Sequence, residues 1–388
     1  MKILVIIYLI VVYPAFGYAQ SFYFGNDLSY ANMMEDCGAT FKESGQKKDV
    51  YKIYADNGHN LVRLRLWVDP IWQNDIPQPE GVKKQYHDFE DIKKAIKRVK
   101  ETGMLVLLDF HYSDFWADPG RQVIPERWKN IAHNTNELAD SLYGYTFNVL
   151  SMLDAEGLMP EQVQVGNETN MGMMVAKTLG SSFEASDFIN GGWDRQAVLF
   201  NAGIKAVRDA SENSEIKTKI VLHYAGVGSD LRNWFANITA IGVNDFDIIG
   251  FSYYKTYHGS SIQGVGKDIE YLRESYPEKE IVIVETGYPW TTENFDTNGN
   301  IITGIDSAYV PLSPEMQRKY LIDLSKEVIA SGGNGVIFWE SAWVSTPCRT
   351  PWGQGSSHDH VAFFEPTDFN FIKNGGGDWP NPIHYKNY

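Results

Sequence analysis

The sequence predicts a single-domain (β/α)8 barrel. Three observations carry that prediction. Short apolar runs alternate with amphipathic stretches along the whole chain, the order that builds a parallel sheet covered by helices. Several runs are unbroken aliphatic segments, Ile281-Val-Ile-Val284 among them, as strands buried on both faces are. Finally, 388 residues pass without a linker, an internal repeat or a low-complexity break. One core reaches that length readily when the sheet closes into a ring.

Taken in order, the expected strands are 22–28, 61–68, 104–111, 162–168, 219–225, 247–254, 280–287 and 335–341. Helical patterns separate them. In 88–102, Phe89, Ile92, Ala95, Ile96 and Val99 fall on one face and the lysines elsewhere, and Gly103 ends the run. In 313–330, Ser313 and Pro314 form a capped first turn, and Tyr320, Leu321, Leu324 and Val328 mark the buried face. The tail 375–388 is rich in Gly, Pro, Trp and Tyr and is expected to wrap the barrel instead of forming a long last helix.

The chain opens with Lys2, an apolar run over 3–16 and the small residues Gly17 and Ala19. That is the order of a secretory signal, so residues 1–19 are expected to be removed. The catalytic domain is then 20–388, working in a secreted or extracytoplasmic setting. The formal net charge of −15 excludes phosphate backbones and anionic lipid surfaces as natural partners. A neutral polymer meets no such repulsion. An open cleft on a polymer also suits a monomer.

In such barrels the chemistry sits where strands end at their C-terminal side. The fourth run ends Val165-Gly-Asn-Glu168 and the seventh Val284-Glu285-Thr-Gly. Two carboxyl groups facing each other across a cleft are what glycosidic-bond cleavage needs. One stays protonated for the leaving oxygen, and the other stays ionised to attack the anomeric carbon. Either glutamate alone reads as an ordinary surface charge; together they point to this chemistry. In the second run, Arg63, Arg65 and Trp67 share a face by the period of two. Both arginines are expected inside the barrel, Arg63 in a structural ion pair and Arg65 nearer the mouth. Other strand ends carry His111, Asp114, Trp116, Asp118, His223, Tyr253, Tyr254 and Trp339, the lining of a polar, aromatic sugar cleft.

These residues resemble a known family, the endo-β-1,4-galactanases of glycoside hydrolase family 53 in clan A. The resemblance covers nearly all of the mature chain. It rests on Leu61-Val-Arg-Leu-Arg-Leu-Trp-Val-Asp-Pro70, on the run from Leu108 through His111-Tyr-Ser-Asp114-Phe-Trp116-Ala-Asp118-Pro119, on Val165-Gly-Asn-Glu168 and on Val284-Glu285-Thr-Gly-Tyr-Pro289. The Asn-Glu pair is shared across the clan, and the Trp116-Ala-Asp-Pro119 stretch is the more specific. The resemblance implies hydrolysis within β-1,4-galactan, with galacto-oligosaccharides as products, and retention through a covalent galactosyl-enzyme. It implies Glu168 as acid/base and Glu285 as nucleophile, with no cofactor for the chemistry. Asn167 would contact the 2-hydroxyl, Trp116 would stack on sugar, and Arg65, His111, His223, Tyr254 and Trp339 would support the cleft.

Two further expectations concern loops. The segment after the seventh strand carries Asp296, Asn298 and Asn300 with Gly299 between, alternating oxygen ligands that suit a structural Ca²⁺. Bacterial family members are similar in carrying such a loop here, and the same residues also suit a solvated turn. Cys37 and Cys348 follow the first and last strands, which ring closure makes neighbours. A disulfide is then within geometric reach, as are two buried free thiols. Rival functions are a clan relative acting on mannan, glucan or xylan, a non-catalytic sugar-binding barrel, and a lyase or transglycosylase.

Overall fold

A computed structural model describes residues 22–178 and 186–372. The expected signal, 1–19, and the tail, 375–388, lie outside the described residues. Eight parallel strands close into a barrel: β1 Tyr23–Asp27, β2 Leu61–Leu66, β3 Leu105–Phe110, β4 Gln162–Val165, β5 Lys219–Ala225, β6 Ile248–Tyr253, β7 Glu280–Thr286 and β8 Gly335–Phe338. Each pairs with the next in sequence, and β8 closes onto β1 with Tyr23 opposite Gly335.

Among the described residues, the longest helix of each crossover is α1 Val50–Asp56, α2 Phe89–Glu101, α3 Thr135–Ala155, α4 Trp193–Ser211, α5 Ser229–Ala240, α6 Ile262–Ser275 and α7 Pro314–Ala330. Their starts follow from their capping residues. Asp88 accepts from the Asp91 N–H and Ser313 from the Met316 N–H, each satisfying a donor that a first turn leaves open. Ile92, Ile96 and Val99 of α2 are buried against the strands, as their spacing requires.

Two apolar layers result. Val62, Leu64 and Leu66 point outward into the main core under the helices. Inside the ring, Tyr23, Leu61, Leu107, Val221, Ile248, Val282, Val284 and Ile337 form a separate plug at the N-terminal end. Gly250 makes room in it: a Cβ there would lie 2.7 Å from Val221 Cγ1 and 3.1 Å from the Leu222 carbonyl oxygen. Above the plug the interior turns polar with Arg63, Asp109 and Gln164.

The expected strand ends overrun at two places. β4 stops at Val165 because Gly166 and Glu168 take φ of +84° and +45°. β8 stops at Phe338, and Glu340 follows at φ +49°. A left-handed non-glycine residue costs energy and swings its side chain off the strand's alternation. Cys37 and Cys348 form a disulfide with their Cα atoms 5.6 Å apart, pinning the loop after β8 to the segment after β1.

Candidate active site

The strands deliver their polar ends to one cleft of about 680 Å³. Glu168 and Glu285 face each other in it, together with His111, Trp116, Asp118, Asn167, Tyr254 and Trp339. One oxygen of Glu168, one of Glu285 and a ring nitrogen of His223 all lie within 4.8 Å of one another. A second hollow, of about 700 Å³, lies outside the barrel between α2 and α3. Its Asp69 is bound by two nitrogens of Arg127, and its Asp88 caps α2.

Glu285 is held on both oxygens. Arg63 Nη1 lies 2.8 Å from Oε1, and the Tyr254 hydroxyl donates to Oε2 at 3.1 Å. Tyr253, the neighbour that the sequence could not separate from Tyr254, turns outward and donates to the Ser260 carbonyl. Burial raises the Glu285 proton affinity, and Arg63 opposes it. Glu168 has no such cation in contact. Burial, and then the negative charge of Glu285, push its pKa well above the usual carboxyl range. So Glu285 ionises first and Glu168 keeps the proton.

Arg63 makes the expected buried ion pairs, with Asp27 and Asp109, and also reaches Glu285. It is fully buried, donates to Gln164 Oε1 at 3.2 Å, to Asp27 at 3.0 Å and to Asp109 and Asn167 at 2.7 Å each, and forms an ion pair with Glu285 Oε1 at 2.8 Å. Arg65, expected at the sugar, does not line the cleft. It donates to Glu340 Oε1 at 3.1 Å, and its guanidinium lies 4.0 Å from the Trp116 ring centre, between that ring and those of Tyr30 and Trp67. It backs the platform instead of touching the substrate side. The two arginines share a face, but the tilt of the strands sends them to different neighbours.

Two more positions are corrected. Asp114 accepts from the backbone N–H groups of Asp69 and Glu126, so it ties loops together outside the cleft. His223 is completely buried behind Asn167 and Glu168 and has no face toward the sugar space. The others reach the cleft. His111 offers a ring edge only: Nε2 lies 3.1 Å from Asp109, and Nδ1 accepts from Trp67 and the Ala117 N–H. Asp118 is neutralised by Arg121. Asn167 donates one amide hydrogen to the Ala117 carbonyl, and its other amide hydrogen remains for a ligand.

The sequence reading missed Asp27, Asp109, Gln164, Ser252, Tyr257, Trp343 and Trp352. Asp109 sits in a quoted motif, and its alternation with His111 placed both on one face. Trp352 projects from a hairpin, Arg349–Thr350 paired with Gly353–Gln354, whose pairing no local pattern announces.

The loop after β7 brings Asp296 against residues beyond β8. The Asp296 carboxylate accepts from Ser345 Oγ at 2.6 Å and from the N–H groups of Ser356 and Asn298. Ser345 Oγ also reaches Asp359. Asn298 Oδ1, Asn300 Oδ1 and Asp359 Oδ1 are buried acceptors without a hydrogen-bond donor. Orphaned oxygens, all acceptors, are the chemistry of a hard cation's ligands.

The family model described as glycosyl hydrolase family 53 matches residues 23–373. An arabinogalactan endo-β-1,4-galactanase of Cellvibrio japonicus is 43% identical over 353 residues, 90% of this chain and 88% of that protein. An endo-β-1,4-galactanase of Bacillus subtilis is 31% identical over 91% of this chain and 80% of its own length. Among solved structures, the GH53 catalytic domain of Ignisphaera aggregans has a TM-score of 0.79 at 28% identity, covering 95% of this chain and 98% of that one. A fungal β-1,4-galactanase has a TM-score of 0.70 at 25% identity, covering 91% and 98%.

Proposed function

Because the chain belongs to glycosyl hydrolase family 53, we propose that it cleaves β-1,4-galactan within the polymer, with retention, through Glu285 and Glu168. The observation that carries this reading is the facing pair of glutamates in opposite environments. Glu285 has a cation and a tyrosine hydroxyl in contact, and Glu168 has neither. A separation within 4.8 Å supports direct attack, because inserting a water between the carboxylates would need roughly 6.5–9.5 Å.

In the first step a Glu285 oxygen bonds to the anomeric carbon. The glycosidic C–O bond breaks, and the Glu168 proton passes to the departing oxygen. In the second step Glu168, now ionised, takes a proton from water as that water's oxygen displaces Glu285. No cofactor enters either step. Trp339 floors the reacting sugar, Trp116 walls it, and the free Asn167 amide hydrogen serves its 2-hydroxyl.

Asp296, Asn298, Asn300 and Asp359 would hold a structural Ca²⁺ between the two loops, bracing the wall that bears Ile301 and Ile302. The expected signal at 1–19 would deliver the enzyme outside the cytoplasm, where polymer and disulfide both belong.

The test is reducing-sugar release from linear β-1,4-galactan, with mannan and carboxymethyl-cellulose in parallel. Short oligosaccharides from galactan alone are expected. Glu168→Ala and Glu285→Ala should each lower turnover by about 10²-fold or more while remaining folded. Equal activity on mannan would overturn the substrate, and an active Glu285→Ala variant would overturn the mechanism.

A further inference from the structure

Ser252 lies at the inner face of β6, completely buried, and the reaction as described makes no use of it. Its hydroxyl is 2.7 Å from Glu168 Oε1 and 2.8 Å from His223 Nε2. His223 in turn faces the backbone of Glu168, whose N–H lies 3.3 Å from Nδ1. A ring of hydrogen bonds therefore leaves Glu168 at its main chain and returns to it at its carboxyl group. The left-handed backbone of Glu168 aims the N–H at the imidazole.

The direction of each bond in the ring follows from counting hydrogens. Nδ1 of His223 meets the Glu168 N–H, which can only donate, and the Gln164 amide at 3.0 Å, whose two hydrogens are shared with Asp109 Oδ1 at 2.7 Å and Asn167 Oδ1 at 3.0 Å. It meets one acceptor, Asn167 Oδ1 at 3.0 Å, which already takes hydrogens from Arg63 and Gln164. So Nδ1 accepts, and the imidazole hydrogen is on Nε2. That hydrogen goes to Ser252 Oγ. A hydroxyl has a single hydrogen of its own, and it goes to Glu168 Oε1.

We propose that Ser252 is a positioning residue for the acid/base: it keeps Oε1 of Glu168 as an acceptor, so the proton given to the leaving oxygen is carried on Oε2. The proposal rests on the assignment of Glu168 made above and adds which oxygen works and what enforces it. The same bond favours the ionised carboxylate that the second step needs, so Ser252 opposes the pull of burial and of Glu285 on that proton. Other groups facing Glu168 are Glu285 of β7, Asp118 beyond β3, Arg63 of β2, and Tyr254 and Tyr257 beyond β6. His223 does not titrate with it, because burial and Arg63 hold its pKa well below the usual range.

The experiment is the pH profile of kcat/KM on soluble galactan for wild type, Ser252→Ala and Ser252→Thr. Loss of the donor should let Glu168 hold its proton to higher pH. The alkaline limb is expected to move up by about one pH unit in Ser252→Ala, the scale of one hydrogen bond to a charged group. Threonine, which keeps a hydroxyl, should return the limb toward the wild-type position. Ser252→Cys, with a weak donor of similar size, should shift the limb upward also and is measured because it disturbs packing least. A uniform loss of rate with the limb unmoved would mean a merely structural serine and would overturn the proposal. Glu168→Ala is run alongside. Wild-type turnover there would remove the acid/base assignment itself, whereas an inactive Glu168→Ala beside an unshifted Ser252→Ala removes the proposal alone.

Discussion

Lysine at position 63 would keep the positive charge and lose the fork. The planar guanidinium of Arg63 meets five acceptors on five residues, and an ammonium offers three hydrogens on a single atom. Arg63→Lys is expected to lower kcat by about 10–100-fold, one or two charge-assisted hydrogen bonds' worth, since Glu285 is no longer fixed. Arg63→Met should be worse for folding: Asp27, Asp109 and Glu285 would share a buried space with no cation, a loss of roughly 3–5 kcal/mol. Denaturant titration of the two variants separates these effects, and equal stability of Arg63→Met and wild type would contradict the buried-charge account. A second prediction concerns Glu168. Its folded pKa is raised, so the folded state binds the proton more tightly than the unfolded chain does. Below the unfolded pKa of about 4.3 both states are protonated and nothing is lost; as pH rises toward the folded pKa, the carboxyl becomes a growing cost. Glu168→Gln should therefore raise Tm at pH 7 and leave it unchanged near pH 3.5. A larger gain at low pH would show the sign to be wrong.

Among the elements, the loop after β7 is the one on which the proposed Ca²⁺ would act. If Asp296, Asn298, Asn300 and Asp359 hold Ca²⁺, then a chelator should lower Tm by several degrees and added Ca²⁺ should restore it, by mass action on the folded state. An unchanged melt with EDTA would leave the orphaned oxygens to water. The elements also mark what was legible in the sequence. All eight strands and the cap at Ser313 could be read because their signals are local: two-residue and 3.6-residue periods, and a side chain bonding three residues ahead. The strand ends at Val165 and Phe338 could not be read, since left-handed turns at Glu168 and Glu340 are imposed by the site. Glu168 and Glu285 were visible as acids closing apolar runs. The contrast between Arg63 and Arg65 was hidden, because a period gives the face and the partners come from across the ring: Asp27 of β1, Asp109 of β3 and Glu285 of β7. Ser252 was hidden too, as a serine between apolar neighbours carries no pattern until its contacts are known.

At the scale of the molecule, the barrel separates stability from chemistry by depth. The aliphatic plug at one end holds the ring closed, and the polar storey above it spends burial on an arginine and its acids. That division predicts where substitutions are felt. Gly250→Ala, driven into Val221 and the Leu222 carbonyl, should cost about 1–3 kcal/mol in denaturant titration yet leave kcat of the folded fraction close to wild type. A large fall in kcat without a fall in stability would mean that the two storeys are coupled.

The Cys37–Cys348 bond also changes how the molecule would answer a mechanical load. It joins positions 311 apart in sequence and leaves β1 as the one barrel strand outside the bracket. Pulled by its two ends, the oxidised protein can surrender β1 and the segments flanking the bracket, but tension then runs through the sulfur bridge and bypasses the other seven strands. In the reduced protein the same tether would pay out a further contour length of roughly 1,000 Å.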